Sequence, residues 1–324
     1  GYGRILRDKH GAVRGIVEEK DCGPLQKKID EVNSGIYLVS SRFLSANIKK
    51  LGALNAQGEY YLTDLVRMAS DLGEKVTAIT HLDPDEVMGI NNRVELAKAE
   101  RVMRARIAER LMLSGVTFID PASTYVDYGV KAGADTVIYP GARLSGDTVI
   151  GAGCVIEEGA VIIDSEIGDG STIRSYTVME SSKAGRNVSI GPFARLRPGN
   201  AIGDGTRIGN FVEVKKTVMG RGVKAGHLSY LGDSIIGDNV NIGAGTITCN
   251  YDGFSKHRTT IEDDAFIGSD SQLVAPVTVG RGAYVGSGTT VTKDVPPGAL
   301  VVTRVKEKVV EGWVERKKAK GGGK

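Results

Sequence analysis

The chain has 324 residues, 41% hydrophobic and 25% charged, and 42 Lys and Arg against 39 Asp and Glu leave a formal net charge of +3. So small a surplus argues against bulk attraction to nucleic acid or a membrane surface, and no apolar run reaches the roughly 18 residues that a membrane-spanning helix requires. Cys22, Cys154 and Cys249 are odd in number and scattered, which fits neither a disulfide framework nor a Cys-based zinc site and points to a reducing, cytoplasmic compartment.

Residues 1–91 mix short aliphatic runs with helical patterns. Strands are predicted at Ile16-Val17 and over Ile36-Tyr37-Leu38-Val39, and a helix is predicted to open near Thr63. This is α/β patterning, with too few strands for a complete doubly wound sheet and no phosphate-cradling glycine loop. The chain opens on Gly1-Tyr2-Gly3, and the expectation is the later part of a larger α/β domain. His10 and His81 have no partner pattern and read as structural or surface residues.

Residues 92–114 are predicted to form a linking helix. Asn92 stands three residues before Glu95, a capping-box-like start, and no Gly or Pro follows through Leu113. Leu96, Ala99, Met103, Ile107 and Leu111 form the apolar stripe, while Lys98, Arg101, Arg104 and Arg106 fall off it and are expected to stay solvated.

From 115 to 305 a period of six takes over. Aliphatic residues recur at Ile138, Leu144, Ile150, Ile156 and Ile162, at Ile190, Leu196, Ile202, Ile208 and Val214, and at Ile267, Leu273, Val279, Val285 and Val291, often followed by Gly. Helices repeat at 3.6 and strands at 2, so the pattern predicts a mainly β chain, a parallel β-helix of hexapeptide repeats with one short strand and one turn per hexad. Three hexads per coil, rising about 4.8 Å, give a column on the order of 45 Å tall. The rhythm fails between Val214 and Ile236 and again at CNYDGFSKHRTT, before Ile261. Loops are expected to leave the column at both places and to carry chemistry. The tail, 306–324, is basic and glycine-terminated, with a mobile end expected and Trp313 as a packing anchor.

The candidate chemistry gathers around those interruptions. His227, in Lys224-Ala225-Gly226-His227-Leu228-Ser229-Tyr230, reads either as a satisfied core histidine or as a neutral imidazole able to take a proton from an amine. A three-His zinc site is disfavoured, since the column offers only His227 and His257. Singly, Arg197 and Lys215 are ordinary surface charges; grouped with Tyr230 and Asn241 they suit a sugar phosphate. Asn250 and Tyr251 bring hydrogen-bonding groups to the inserted loop, although Asn-Tyr-Asp-Gly also reads as turn chemistry. His257, between Lys256 and Arg258, is expected to be solvated or near an anion.

The run GNFVEVKKTVMGRGVKAGHLSYLGDSIIGDNVNIGAGTITCNYDG, 209–253, resembles the acetyltransferase domain of the bacterial bifunctional N-acetylglucosamine-1-phosphate uridyltransferase / glucosamine-1-phosphate N-acetyltransferase family. Gly15-Ile16-Val17-Glu18, Asn33-Ser34-Gly35, the run Asn55 to Asp64 and Gly89-Ile90-Asn91-Asn92-Arg93 resemble the later part of its uridyltransferase domain. The resemblance implies a left-handed coil and a homotrimer whose sites are lined by more than one subunit, with the C-terminal arm reaching across. It implies His227 as general base, Arg197, Lys215, Tyr230 and Asn241 as amino-sugar phosphate contacts, and Ala244, Asn250, Tyr251, Ser269, Ser287 and Arg304 as acetyl-CoA contacts. Ser287 stands where the family often has Ala. Gly3, Glu18, Asn33 and Asn91 match sugar-nucleotide contacts, and Asn91 also matches a Mg²⁺ ligand. The family's nucleotide loop and the Asp that partners Asn91 on the metal have no counterpart here, and one hard ligand makes a poor Mg²⁺ site.

The activity implied is acetyl transfer from acetyl-CoA to the 2-amine of glucosamine-1-phosphate. The uridyltransferase step, which leads to UDP-N-acetylglucosamine for cell-wall and lipopolysaccharide synthesis, is not expected of this chain. A backbone N–H near Gly243-Ala244 is the candidate oxyanion donor. Two rival readings are another hexapeptide acyltransferase and a non-catalytic sugar-nucleotide-binding scaffold.

Overall fold

The computed structural model describes residues 2–321. Two compact units divide the chain, Gly1–Val102 and Met103–Lys324. In the first, strands Arg4–Arg7 and Val13–Val17 pair antiparallel, and Arg4 bridges Val32. The helix Asp64–Asp71, entered through Thr63, packs on Val13–Val17, and Val13, Ile16, Val17 and Leu65 form the buried centre. The strand predicted over Ile36–Val39 is absent: this stretch is irregular and Leu38 is fully exposed, at 105%. An extended run becomes a strand only where a neighbour accepts and donates its backbone hydrogen bonds. Here the pairing stops at the Val32 bridge.

The helix Arg93–Leu113 has the predicted cap with one change of partner. Asn92 Oδ1 accepts from the N–H groups of Val94 and Glu95, both at 3.0 Å, while the Glu95 carboxylate accepts from Asn91 N–H at 2.6 Å rather than from Asn92. Ile107, Ala108 and Leu111 are buried with Val116 and Phe118 of the first coil. Two basic residues of this helix are not simply solvated. The Arg104 guanidinium lies 4.1 Å from the centre of the Tyr125 ring and donates to the Ala122 carbonyl, and Arg110 lies 4.8 Å from the Tyr128 ring centre. A weakly hydrated planar cation stacks on an aromatic face where a coil offers one.

The second unit is a three-sided parallel β-solenoid whose faces hold 11, 10 and 9 strands, visited by the chain in that order on each coil. About ten coils result, as the six-residue period requires. The periodic aliphatic positions point inward: Ile138, Leu144, Ile156, Ile162, Ile190, Leu196, Val214, Ile267, Leu273 and Val279 are all at 0% exposure. Each such side chain contributes about 1.5–3 kcal/mol of burial. Glycine follows where coils approach most closely. A Cβ on Gly243 would sit 2.5 Å from the Ser269 amide nitrogen, so no larger residue fits.

The corners are not equivalent. Between the 11- and 10-stranded faces the spacing is eight in the first coil, from Thr117 to Tyr125, and six from there on, as from Arg207 to Glu213, Lys224 to Tyr230 and Asn241 to Ile247. Between the 10- and 9-stranded faces it varies. It is six from Arg195 to Ala201, five from Val161 to Glu166, Val178 to Lys183, Glu213 to Val218 and Tyr230 to Ile235, and thirteen from Ile247 to Thr260. The five-residue corners turn through left-handed residues, Asp164 (φ 47°), Ser181 (φ 40°), Lys216 (φ 46°) and Asp233 (φ 50°). Buried Ser165, Ser182, Asn200, Thr217 and Ser234 line this edge, each hydrogen-bonded to backbone or to one another.

This corrects one expectation. The break between Val214 and Ile236 sends no loop out of the column; it is two five-residue corners that keep every ladder intact. Only the second interruption, residues 250–258, leaves the solenoid. Trp313 opens the helix Trp313–Gly321 at 55% exposure, with the Lys317 ammonium 6.0 Å from its ring centre, so it is not buried against its own chain. The glycine-rich end of the tail lies outside the described residues. Cys22, Cys154 and Cys249 are free thiols, the first two buried. Among the described residues no helix is long and apolar enough to cross a membrane.

Candidate active site

Register places the candidates along two edges. On the 11-stranded face Arg207, Lys224, Asn241, Phe266, Tyr284 and Leu300 are successive partners. Three residues beyond the first five of them stand Asn210, His227, Ala244, Ser269 and Ser287, one per coil along the constant edge. Arg304, four beyond Leu300, continues the adjoining row.

His227 ends the strand Lys224–His227 and is exposed, not a core histidine. Its Nδ1 faces Asn210 Oδ1 at 2.7 Å. A carboxamide oxygen only accepts, so this contact keeps the proton on Nδ1 and leaves the Nε2 lone pair of the neutral ring available. Beside it, Tyr176, Phe193, Phe211 and Leu228 turn the corner with φ between 47° and 57° and half-exposed side chains. Their rings stack at 5.3 Å (Tyr176–Phe193) and 5.7 Å (Phe193–Phe211) between centres. Of the two oxyanion donors considered, Gly243 is spent on the Ile267 carbonyl at 2.8 Å. The N–H groups of Ala244, Ser269 and Ser287 make no hydrogen bond among the described residues.

The variable edge is charged. Lys215 ends the strand Glu213–Lys215, largely buried, with its Nζ 4.0 Å from Asp233 Oδ2. Asn250, 7% exposed, donates to Asp233 and lies 3.5 Å from the Tyr230 hydroxyl. Lys256 reaches in from the loop against Lys215, and that neighbouring ammonium pushes the Lys256 pKa below the usual lysine value. One coil away, Arg197 is paired with Glu213 at 3.0 Å. Tyr251 is exposed and donates to the Gly253 carbonyl at 2.6 Å.

Lys215, Tyr230 and Asn250 therefore meet, with Arg197 on the adjacent coil. Asn241 does not join them, since it opens a strand of the 11-stranded face, between Lys224 and Phe266. His227 and the Lys215 group lie at opposite margins of the 10-stranded face, the width of one short strand apart. Three contributors escaped the sequence reading as site residues: Asn210, Asp233 and Lys256. Asn210 had a signal, for it precedes His227 by one coil.

In the first unit, Gly3, Glu18 and Asn33 come together. Asn33 N–H donates to the Gly3 carbonyl at 2.8 Å, and the Glu18 carboxylate accepts from the Thr63 hydroxyl at 3.0 Å. A Cβ on Gly3 would lie 3.3 Å from Glu18 Oε2 and 3.0 Å from Ile16 Cγ2, so a larger residue there would press on both side chains. Asn91 stands near Gly89, whose N–H donates to the Tyr2 hydroxyl at 2.8 Å. Among the described residues no three His, Cys, Asp or Glu side chains stand together to hold a metal ion.

The chain matches the bacterial transferase hexapeptide (six repeats) family over residues 130–164 and 258–293. It is 54% identical over 318 residues to the bifunctional protein GlmU of Geotalea uraniireducens (strain Rf4), covering 98% of this chain and 70% of that protein. It is 49% identical over 320 residues to that of Clostridioides difficile (strain 630), covering 99% and 70%. Among solved structures, Arabidopsis UDP-N-acetylglucosamine acyltransferase aligns with a TM-score of 0.49 at 17% identity, over 55% of this chain and 69% of that one. On identity and coverage together, the chain belongs to the bifunctional GlmU family.

Proposed function

We propose that this chain catalyses transfer of the acetyl group of acetyl-CoA to the 2-amine of glucosamine-1-phosphate. The amine nitrogen attacks the thioester carbonyl, His227 Nε2 takes the amine proton, and the coenzyme A thiolate departs as the N-acetyl bond is completed. The Ala244 N–H, unspent among the described residues, is the donor for the oxyanion that develops on the carbonyl. Asn210 holds the imidazole in the required tautomer. The observation that carries the reading is this oriented histidine in one row with Ala244, Ser269 and Ser287. Those residues, with Arg304, are assigned to acetyl-CoA, and Asn250 and Tyr251 are assigned to it from the lysine edge, where Asn250 stands in the acceptor site and the thioester meets the amine.

Lys215, Lys256 and Arg197 supply cations for the phosphate and Tyr230 hydrogen-bonds the sugar, while Asn241, which stands apart from them within one chain, is assigned to the sugar from a second copy. Because the histidine edge and the lysine edge flank one face, a second copy of the chain completes the site in this reading, within a homotrimer. Gly3, Glu18, Asn33 and Asn91 are assigned to a sugar nucleotide. Mg²⁺ belongs to uridylyl transfer. Asn91 brings a single amide oxygen and its neighbour Glu95 is engaged in the helix cap, so the residues present do not fit that ion and no step is derived through it. Three free thiols accord with a reducing cytoplasm.

Acetyl-CoA consumption measured with and without glucosamine-1-phosphate tests the activity. Acceptor-dependent turnover is expected. Equal turnover with an unrelated amino sugar would favour another hexapeptide acyltransferase, and binding without turnover would favour a scaffold.

A further inference from the structure

The loop that leaves the variable edge is tied by hydrogen bonds across its own turn. His257 N–H donates to the Asn250 carbonyl at 2.8 Å, and Tyr251 bridges Lys256 antiparallel. Asp252 Oδ1 accepts from the N–H groups of Phe254 at 2.8 Å and Ser255 at 2.7 Å, while Asp252 Oδ2 accepts from His257 Nε2 at 2.7 Å. The two backbone donors, then His257, hold this carboxyl well below the usual carboxylate range. At the tip Phe254 is 94% exposed. The loop also works against a repulsion, because it sets the Lys256 ammonium beside that of Lys215.

We propose that Asp252 and His257 form a clasp that positions Asn250 and Lys256 against Tyr230, Asp233 and Lys215, a role that rests on the acceptor site described above. The cross-loop tie closes the hairpin between these two residues and offsets the like-charge repulsion that would otherwise swing Lys256 outward. His257 serves as imidazolium or as the neutral Nε2–H tautomer, since both donate to the carboxylate. With side chains 35% and 46% exposed, the pair adds little to global stability. Its effect is on where the loop stands.

The test is His257→Ala against His257→Gln in the whole chain, read by steady-state kinetics and by amide hydrogen exchange in the free protein. His257→Ala is expected to raise KM for glucosamine-1-phosphate about tenfold, with kcat held within about twofold. It should also speed exchange of the amide at position 257 without lowering Tm. The Gln variant, whose amide N–H reaches the same carboxylate, is expected to recover most of both. Unchanged KM and exchange in His257→Ala would overturn the clasp, as would equal losses in both variants accompanied by a fall in Tm. If the unaltered chain fails to acetylate glucosamine-1-phosphate, the functional reading falls, while the exchange rates still decide the clasp.

Discussion

The two edges flanking the 10-stranded face are made by the same strands and differ in almost everything else. At the constant edge the corner segments 191–194, 209–212, 226–229 and 243–246 hold no ionisable side chain except His227. At the variable edge Arg197 pairs with Glu213, Lys215 faces Asp233, and Lys256 is pressed against Lys215. A proton acceptor for an amine works as an uncharged ring, whereas a phosphate needs cations. The separation lets each edge be tuned alone, so substitutions should divide kcat from KM.

The strongest break in that division is His227→Ala. It is expected to lower kcat by about 10²–10⁴-fold, the usual worth of a positioned base, with KM for both substrates little altered. Steady-state kinetics check it, and near-normal turnover would end the assignment. Next, Lys215→Ala is expected to raise KM for glucosamine-1-phosphate by roughly 10- to 100-fold, as a charged hydrogen bond is worth about 1.5–3 kcal/mol. Its kcat at saturation should change little; a variant losing kcat instead would merge the two edges. Asn210→Ala should lower kcat about tenfold by freeing the imidazole tautomer, leaving KM alone. The smallest effect is on pH dependence. A lysine loses its charge as pH rises through its pKa, so a lowered Lys256 pKa brings an alkaline rise in acceptor KM below the pH of an ordinary lysine. In Lys215→Ala that rise should move upward, which a KM–pH profile will show.

Much of the solenoid was legible because its contacts are periodic. Each aliphatic residue at the sixth position meets its equivalent on the next coil, so Ile190, Leu196 and Val214 are buried as the spacing requires. Ile36–Val39 carries comparable side chains and fails as a strand, because strand formation depends on a distant partner that local patterning does not reveal. The interval from Val214 to Ile236 misled for a different reason. A five-residue corner and an emerging loop both disturb a count of six, and only the ladder of Glu213 with Tyr230 and Val218 with Ile235 tells them apart. His227 and Lys215 were legible as chemistry, but their placement on separate edges was not, since it depends on which face each hexad occupies. Asn210 lacked a chemical signature of its own, and its part comes from standing one coil before an imidazole. Lys256 was visible as a loop cation, yet only the return of the loop brings it to Lys215.

Past the first coil, whose Thr117-to-Tyr125 corner is longer, confining the changes of corner length to one edge gives the molecule a seam. Residues can be added or dropped there, as the excursion at 250–258 shows, without shifting the phase of the buried isoleucines or of His227. A single deletion at the opposite corner, where Gly226-His227-Leu228-Ser229 turns, would exchange inside for outside until the next corner restored the count. Grafted peptides, tags or new recognition loops therefore belong on the seam, where the fold can carry novelty while its interior stays unchanged.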